Sequence, residues 1–197
     1  LADLLIYCEK VYGSKEGNEL IDKVFETIAT EAYRASIELA KEKGSFTFLE
    51  YGIGNFRKAF INTGYMKRMP DDIRKGVLKY GIRNSHLLTV APTGSTGTLV
   101  GVSTGLEPYF AFKYYRSGRL GKFIEVNADI IDELGVDPDN LPPYFVTAMD
   151  LSPEAHADVQ CVIQRWIDSS ISKTVNAPKG YSVENVQKIY ERLYKGG

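Results

Sequence analysis

Cysteine and histidine are scarce in this sequence, with two of each among 197 residues. Cys8 and Cys161 lie in separate helix-like apolar stretches, and neither has a CxxC partner. Two free, buried thiols of a cytoplasmic protein are therefore expected, not a disulfide or a redox pair. His86 and His156 belong to no HxH, HExxH or Cys/His cluster, so no transition-metal site is expected, and both read as structural. Charge of one sign is also missing: 24 Lys and Arg face 25 Asp and Glu, a formal net charge of -1. Such a balance gives no global basic field for DNA or RNA. No apolar run approaches the roughly 18 residues of a membrane span. Low-complexity tracts, internal repeats and convincing linkers are absent, so residues 1–197 read as a single domain. No initiator Met or signal-peptide pattern opens the chain, which starts directly in helix-like sequence. A cut or split polypeptide is the expectation.

Aromatics, by contrast, are plentiful: 13 Tyr and 9 Phe favour a packed interior or an interface over disorder. Leu1 to Tyr12 reads as a short helix with Leu4, Leu5, Cys8 and Val11 on one face. A long helix is predicted from about Lys15 to Glu42. Its apolar stripe would be Leu20, Ile21, Val24, Phe25, Ile28, Ala32, Ala35 and Leu39, and Gly44 would stop it. Helices are also predicted over Asn55 to Thr63, from Pro70-Asp71-Asp72 to about Lys79, and from an Asn127 cap to Leu134. Phe46, Phe48, Leu49 and Tyr51 read as core contacts. Ser152-Pro153 opens a helix carrying Ala155, Val159, Val162, Ile163, Trp166 and Ile167 inward. Ser182 caps the last, with Val183, Val186, Ile189, Tyr190 and Leu193 inside. Leu87 to Ala91 and Ile171 to Val175 read as strands. Tyr109 to Tyr115 and Lys122 to Val126 suit a hairpin joined by residues 117–121. Helix-rich sequence with scattered single strands is an α/β pattern.

The most informative stretch follows the Leu87–Ala91 strand. Pro92, Thr93, Gly94, Ser95 and Thr96 form a loop of small hydroxyl and glycine residues, extended by Gly97 and Thr98. Such a loop can turn tightly and aim N–H and O–H donors at one spot, as an anionic group such as phosphate requires. An ordinary strand-to-helix turn with capping hydroxyls has the same composition. No nucleophile or base accompanies the loop, so no catalytic residue is assigned.

Five blocks carry a family resemblance. They are Leu1-Ala-Asp-Leu-Leu-Ile6; Arg83-Asn84 with Leu87-Leu-Thr-Val-Ala-Pro-Thr-Gly-Ser-Thr96; Gly101-Val-Ser-Thr-Gly-Leu-Glu-Pro-Tyr-Phe-Ala111; Phe145-Val-Thr-Ala-Met-Asp-Leu-Ser-Pro-Glu154 with His156; and Ser172-Lys-Thr-Val-Asn176 with Pro178. In order and spacing they closely resemble ribonucleotide reductase large chains, most of all the class II, adenosylcobalamin-dependent type. The resemblance runs essentially along the whole chain. It implies a helix-rich α/β partial barrel, the second half of that family's ten-stranded α/β barrel. It also implies that Pro92, Thr93, Gly94, Ser95 and Thr96 bind the phosphates of a ribonucleotide substrate and position its ribose. In the family, a cobalamin-derived radical makes a cysteine thiyl that abstracts the ribose 3'-hydrogen, and two further thiols reduce the 2' position.

One departure bears on that chemistry. The family's radical cysteine stands in an Asn-x-Cys-x-Glu motif, which these residues do not contain, and neither Cys8 nor Cys161 matches it. The resemblance therefore implies a segment supplying phosphate grip and barrel wall in the cytoplasm. Its partners would be the remaining half of the barrel and a thiol reductant, and alone it would be inactive. The alternative is a non-catalytic small subunit or binding module that completes or regulates a separate reductase chain. No residue here is identified as a ligand of adenosylcobalamin. Glu107-Pro108 reads as a structural turn before an active-site carboxylate, Asp150-Leu-Ser-Pro153 as the start of a helix, and Tyr114-Tyr115 as packing.

Overall fold

The computed structural model describes residues 1–51, 55–117 and 123–197. Residues 118–121 of the predicted hairpin turn and Lys122, the first residue of its second strand, lie outside them, and so does the side chain of Tyr51. The backbone forms two compact units. The first comprises residues 1–20, 90–162 and 171–197; the second comprises 21–89 and 163–170. No helix among the described residues is long and apolar enough to cross a membrane.

The second unit is built on α2 (Lys15–Lys43), whose first turn belongs to the first unit. The predicted ends hold, and Gly44 stops the helix at a φ of +81. The buried stripe, however, is rotated from the predicted one. Ala29, Tyr33, Ser36, Ile37 and Ala40 are buried, whereas Ile28 and Leu39 are exposed. Polar partners turn the helix. The Tyr33 hydroxyl donates to Asp168 at 2.9 Å. Ser36 Oγ accepts the N–H groups of Arg83 and Asn84 at 3.0 and 3.3 Å. Hydrophobic spacing records neither demand.

Three helices pack beside α2: α3 (Thr47–Tyr51), α4 (Phe56–Ile61) and α5 (Asp71–Tyr80). Asn55 caps α4 by accepting from Lys58 N, and Gly81 ends α5 at a φ of +78. The core combines Tyr33, Ile37, Met66, Ile73, Val77, Ile82 and Trp166. Gly76 permits the close approach of α5 to α2, because a Cβ there would lie 2.9 Å from Ile37 Cδ1. Phe48, predicted in this core, is 62% exposed and lies tilted against Phe56 instead, with ring centroids 4.6 Å apart. Residues 87 and 88 are fixed by Asp168, whose carboxylate accepts both of their N–H groups at 2.9 Å.

The first unit opens with α1 (Ala2–Tyr7). This helix is shorter than predicted because the chain turns at Cys8 and Glu9, the latter with a φ of 52. Ala2, Leu5 and Ile6 are its buried residues. Val11 is exposed, and neither cysteine is in a disulfide, but they are not both buried, since Cys8 is exposed and Cys161 half-buried. Next come α6 (Gly94–Leu99), β1 (Lys113–Ser117), β2 (Phe123–Asn127), α7 (Asp129–Leu134), α8 (Pro153–Gln164, ending in the second unit) and α9 (Val183–Gly196). β1 and β2 pair antiparallel, Lys113 opposite Asn127. That pairing draws Asn127 into the ladder, so Ala128, not Asn127, precedes α7. Ile6, Phe112, Ile130, Ile131 and Phe145 form a core here. Tyr114 and Tyr115, expected to pack, are 42% and 65% exposed.

The predicted strands at 87–91 and 171–175 are single parallel contacts and not continuous buried ladders. Val90 bridges Ile171, and Tyr109 bridges Thr147. Parallel pairing and surrounding helices are the marks of an α/β barrel wall.

The Asp168 carboxylate satisfies two backbone donors and a phenol at once, so its loss strands several buried groups. Asp168→Ala should cost about 3 kcal/mol of stability, measured as the urea midpoint at constant m-value. A cost within error of zero would show that the staple is redundant.

Candidate functional site

The loop that the sequence marks as a candidate phosphate site leads into α6. Thr93 is the residue before the helix and adopts a left-handed conformation, φ 48 and ψ 29. A β-branched residue rarely does so, and strain of this kind persists only where the surroundings enforce it. Here Thr93 Oγ1 accepts the N–H of Gly105 at 2.9 Å. Gly105 itself has a φ of +51, and a Cβ on it would lie 2.9 Å from Pro92 O. Gly97 is buried for a similar reason, because a Cβ there would meet Thr104 at 3.0 Å. The 92–97 loop and the 103–107 turn are therefore interlocked through glycine on both sides.

Pro92, Thr93, Gly94, Ser95 and Thr96 are all exposed. Within α6, Gly97 N returns to Thr93 O at 2.8 Å and Thr98 Oγ1 to Gly94 O at 3.0 Å. No intrachain acceptor among the described residues takes the N–H groups of Gly94, Ser95 or Thr96. Three open N–H donors thus lie at the start of a helix, where the backbone carries partial positive charge, and the Ser95 and Thr96 hydroxyls stand on the same turn.

The 103–109 turn is anchored from four directions. Asp3 of α1 accepts from Ser103 N at 2.9 Å, and from the hydroxyls of Ser103 and Tyr109. Burial would raise the Asp3 pKa, but the Ser103 and Tyr109 hydrogen bonds prevail and hold it below the usual carboxylate range. Tyr12 donates to Leu106 O at 2.5 Å, and burial pushes its phenol far above the ordinary value. Glu107 N closes the turn onto Thr104 O at 2.9 Å. The Glu107 carboxylate accepts from Thr174 N at 2.6 Å and from Lys173 Nζ at 2.9 Å.

The Lys173 side chain is 0% exposed. Besides Glu107 it reaches His156 Nδ1 and Thr174 O, each at 3.0 Å, and lies 5.6 Å from the Tyr12 ring centroid. Burial lowers the Lys173 pKa, and Glu107 opposes the shift. His156 is wholly buried, and its Nε2 sits 3.0 Å from Ala148 O. That contact assigns the proton to Nε2 and leaves Nδ1 to accept from Lys173. Burial first, then the Lys173 charge, hold the imidazole pKa below its usual value. Both ring nitrogens of His156 are engaged within the chain, and Glu107 is the side chain that holds its turn. Lys173 is the residue that motif reasoning missed as the hub; its place in the Ser172–Asn176 block was the only signal of it. Asp150 accepts from Thr147 N at 2.9 Å and Ser152 caps α8 through Ala155 N at 3.1 Å, which is the helix-starting role expected of this corner. A cavity of about 360 Å³ adjoins the turn, bordered by Thr98, Ser103, Glu107, Tyr109 and Asp129. Asn127 also lines it, and its Oδ1 is buried without a hydrogen-bond partner among the described residues.

The ribonucleotide reductase barrel-domain family matches residues 1–197 of this sequence. The chain belongs to that family. Its relatives include the vitamin B12-dependent ribonucleoside-diphosphate reductase of Mycobacterium tuberculosis (strain CDC 1551 / Oshkosh), 28% identical over 218 residues, covering 99% of this chain and 28% of that protein. The enzyme of the same description from Thermoplasma acidophilum is 30% identical over 212 residues, 96% of this chain and 25% of that protein. The ribonucleoside-diphosphate reductase subunit alpha of Chlamydia pneumoniae is 25% identical over 239 residues, 99% of this chain and 22% of that protein. The chain thus spans about a quarter of the length of these relatives. As a member of the reductase family it has the fold expected from its sequence, a helix-rich α/β barrel segment. The reductase blocks of the sequence, far apart along the chain, supply Asp3, Thr93, Glu107, His156 and Lys173 to the turn and its anchors.

The buried imidazole makes stability depend on pH with a definite sign. The folded-state pKa of His156 is below the unfolded value of about 6.5, so the unfolded chain takes up the proton first. Its contribution is complete above about pH 6.5 and declines as pH falls towards the folded value, by at most ~1.4 kcal/mol per pH unit. Urea midpoints between pH 7.5 and 5.5 should fall less steeply in His156→Gln than in the unaltered protein. Parallel profiles would show that the imidazole does not titrate as described.

Proposed function

We propose that this chain is the substrate-phosphate and wall segment of the catalytic barrel of a ribonucleoside di- or triphosphate reductase, making 2'-deoxyribonucleotides by thiyl-radical chemistry. One observation carries the reading: the open, exposed start of α6, with three unpaired N–H groups and Thr93 locked in a left-handed conformation. The strain at Thr93 and the glycine interlock keep those donors aimed outward before any anion arrives. Such preorganisation lowers the cost of ordering on binding. Ser95 and Thr96 add hydroxyl donors, and phosphates held there fix where the ribose lies. The names of the relatives, all ribonucleoside-diphosphate reductases, support the same substrate class.

The reaction also needs groups that this segment does not supply. The remaining barrel provides the radical cysteine, and a thiol reductant restores the reducing pair. Residues 1–197 act within that assembly as one barrel segment, in the cytoplasm, where ribonucleotides are available. Adenosylcobalamin is proposed for the whole enzyme because relatives are named vitamin B12-dependent. It would supply the radical. Residues of this chain offer it no clear ligand. His156 has both ring nitrogens engaged and no exposure, and His86 is exposed with only Ser85 Oγ at 3.3 Å. No step is assigned to the cofactor through either.

Placing a carboxylate in the donor cluster tests the reading. In the assembled reductase, Ser95→Asp should raise the ribonucleotide KM by at least about tenfold, since a carboxylate placed directly against a phosphate costs about 1.4 kcal/mol or more. Steady-state kinetics at fixed ionic strength measure this. An unchanged KM would remove the loop from the binding site.

A further inference from the structure

The Lys173 ammonium is remote from solvent and has no donor to spare. Its three acceptors are Glu107 Oε2 at 2.9 Å, His156 Nδ1 at 3.0 Å and Thr174 O at 3.0 Å. It is therefore not a phosphate-binding lysine, although it stands in a block shared with the reductase family. Its partners point to another task. Glu107 ends the turn that begins at Thr104, Gly105 at the tip of that turn holds Thr93 Oγ1, and Thr93 precedes the donor cluster. Tyr12, which lies against the ammonium, grips the same turn at Leu106 O.

We propose that Lys173 is a positioning residue for substrate phosphate, acting through Glu107 and the 104–107 turn to hold Thr93 and the start of α6 in their donor geometry. The chain of contacts runs from ammonium to carboxylate, from the carboxylate's backbone to Gly105, and from Gly105 N–H to Thr93. Each link lies in the first unit. The carboxylate has a second anchor in Thr174 N at 2.6 Å, so Lys173 and the 173–174 backbone clasp Glu107 together. Removal of the ammonium leaves a carboxylate that is only 23% exposed without its counter-charge. Such a group moves towards water, and it would carry the turn with it. The inference rests on the phosphate-loop reading of the preceding subsection.

The test compares Lys173→Met, Glu107→Gln and the double variant in the assembled reductase, with far-UV circular dichroism to establish folding. Lys173→Met should raise the ribonucleotide KM about tenfold and leave kcat within roughly threefold. The Gly105 amide should exchange with deuterium about ten times faster. Glu107→Gln should act in the same direction, and the double variant should be no worse than the poorer single one, because both act through one contact. An unchanged KM, a loss confined to kcat or to the folded fraction, or additive effects would overturn the proposal. Should Lys173→Met fail to fold, the near-isosteric Glu107→Gln carries the same measurements. If Ser95→Asp leaves KM unchanged, the phosphate reading itself has failed. Gly105 exchange then decides alone: acceleration in Lys173→Met upholds the tether, and an unchanged rate overturns it.

Discussion

A buried ammonium facing a half-buried carboxylate is the constraint on which the first unit turns. Taking Lys173 out of water is costly unless every proton finds an acceptor and the charge finds a counter-charge. Both conditions are met here: Glu107 supplies the charge, and His156 and Thr174 take the remaining protons. Neither acceptor could be moved freely. His156 can accept only because its other nitrogen is committed to Ala148 O. The 171–174 segment, the start of α8 and the 104–107 turn are thereby set in register with one another. A hydrophobic cluster could stabilise the same region as well, but it would not specify hydrogen-bond register. Here that register decides where Gly105 meets Thr93.

The second unit uses the same device with a different charge. Asp168 has no cationic partner among its contacts; it is held by two backbone N–H groups and the Tyr33 hydroxyl. Trp166, two residues earlier, donates from Nε1 to Asp22 at 2.8 Å, and its own carbonyl accepts from Tyr65. The short 163–170 stretch is therefore tied to α2, to the 63–66 region and to residues 87 and 88 by polar bonds that surround the Tyr33–Trp166 core. Burial raises the Tyr65 pKa above its ordinary value, with the Asp168 charge adding to the effect. These phenols are thus fixed donors throughout the physiological range. Hydrophobic contact fills each unit, and carboxylates fix the backbone at its margins.

Helix ends were legible in the sequence because they depend on single residues. Gly44, Asn55, Gly81 and Ser182 all terminate or cap where their chemistry predicts. Faces were less legible. The stripe of α2 is displaced because Tyr33 and Ser36 have polar obligations to residues far along the chain, which periodicity alone cannot register. The short loop of Pro92 to Thr96 was found because its composition is local. Its rigidity was not, since the Gly105–Thr93 bond and the Lys173–Glu107 pair join residues 12 and 66 positions apart. The Asn127 cap failed for a related reason: pairing with Lys113 prevailed over local capping preference.

The predicted inner face of α9 shows what remains open in the first unit. Its pattern is amphipathic, yet only Ile189 of that face is buried, with Val183 80% and Tyr190 70% exposed. A cavity of about 400 Å³ runs beneath it, edged by Pro153, Val175, Tyr181, Ile189 and Leu193. Near the loop, Leu99 is 86% and Phe110 72% exposed. Isolated apolar side chains on a surface need no explanation, but an apolar stripe on an otherwise well-formed helix does. The single-bridge contacts at Val90 and Tyr109 carry the same message in the backbone. Parallel strands are stable when flanked and covered on both faces, and a barrel achieves this by closing. In the proposed assembly the strands of the remaining barrel meet those edges. The proposed phosphate donors at α6 are held in place by bonds internal to the first unit. Barrel completion would then bring the radical cysteine to a nucleotide whose phosphates have a prepared seat, and it would not need to build that seat.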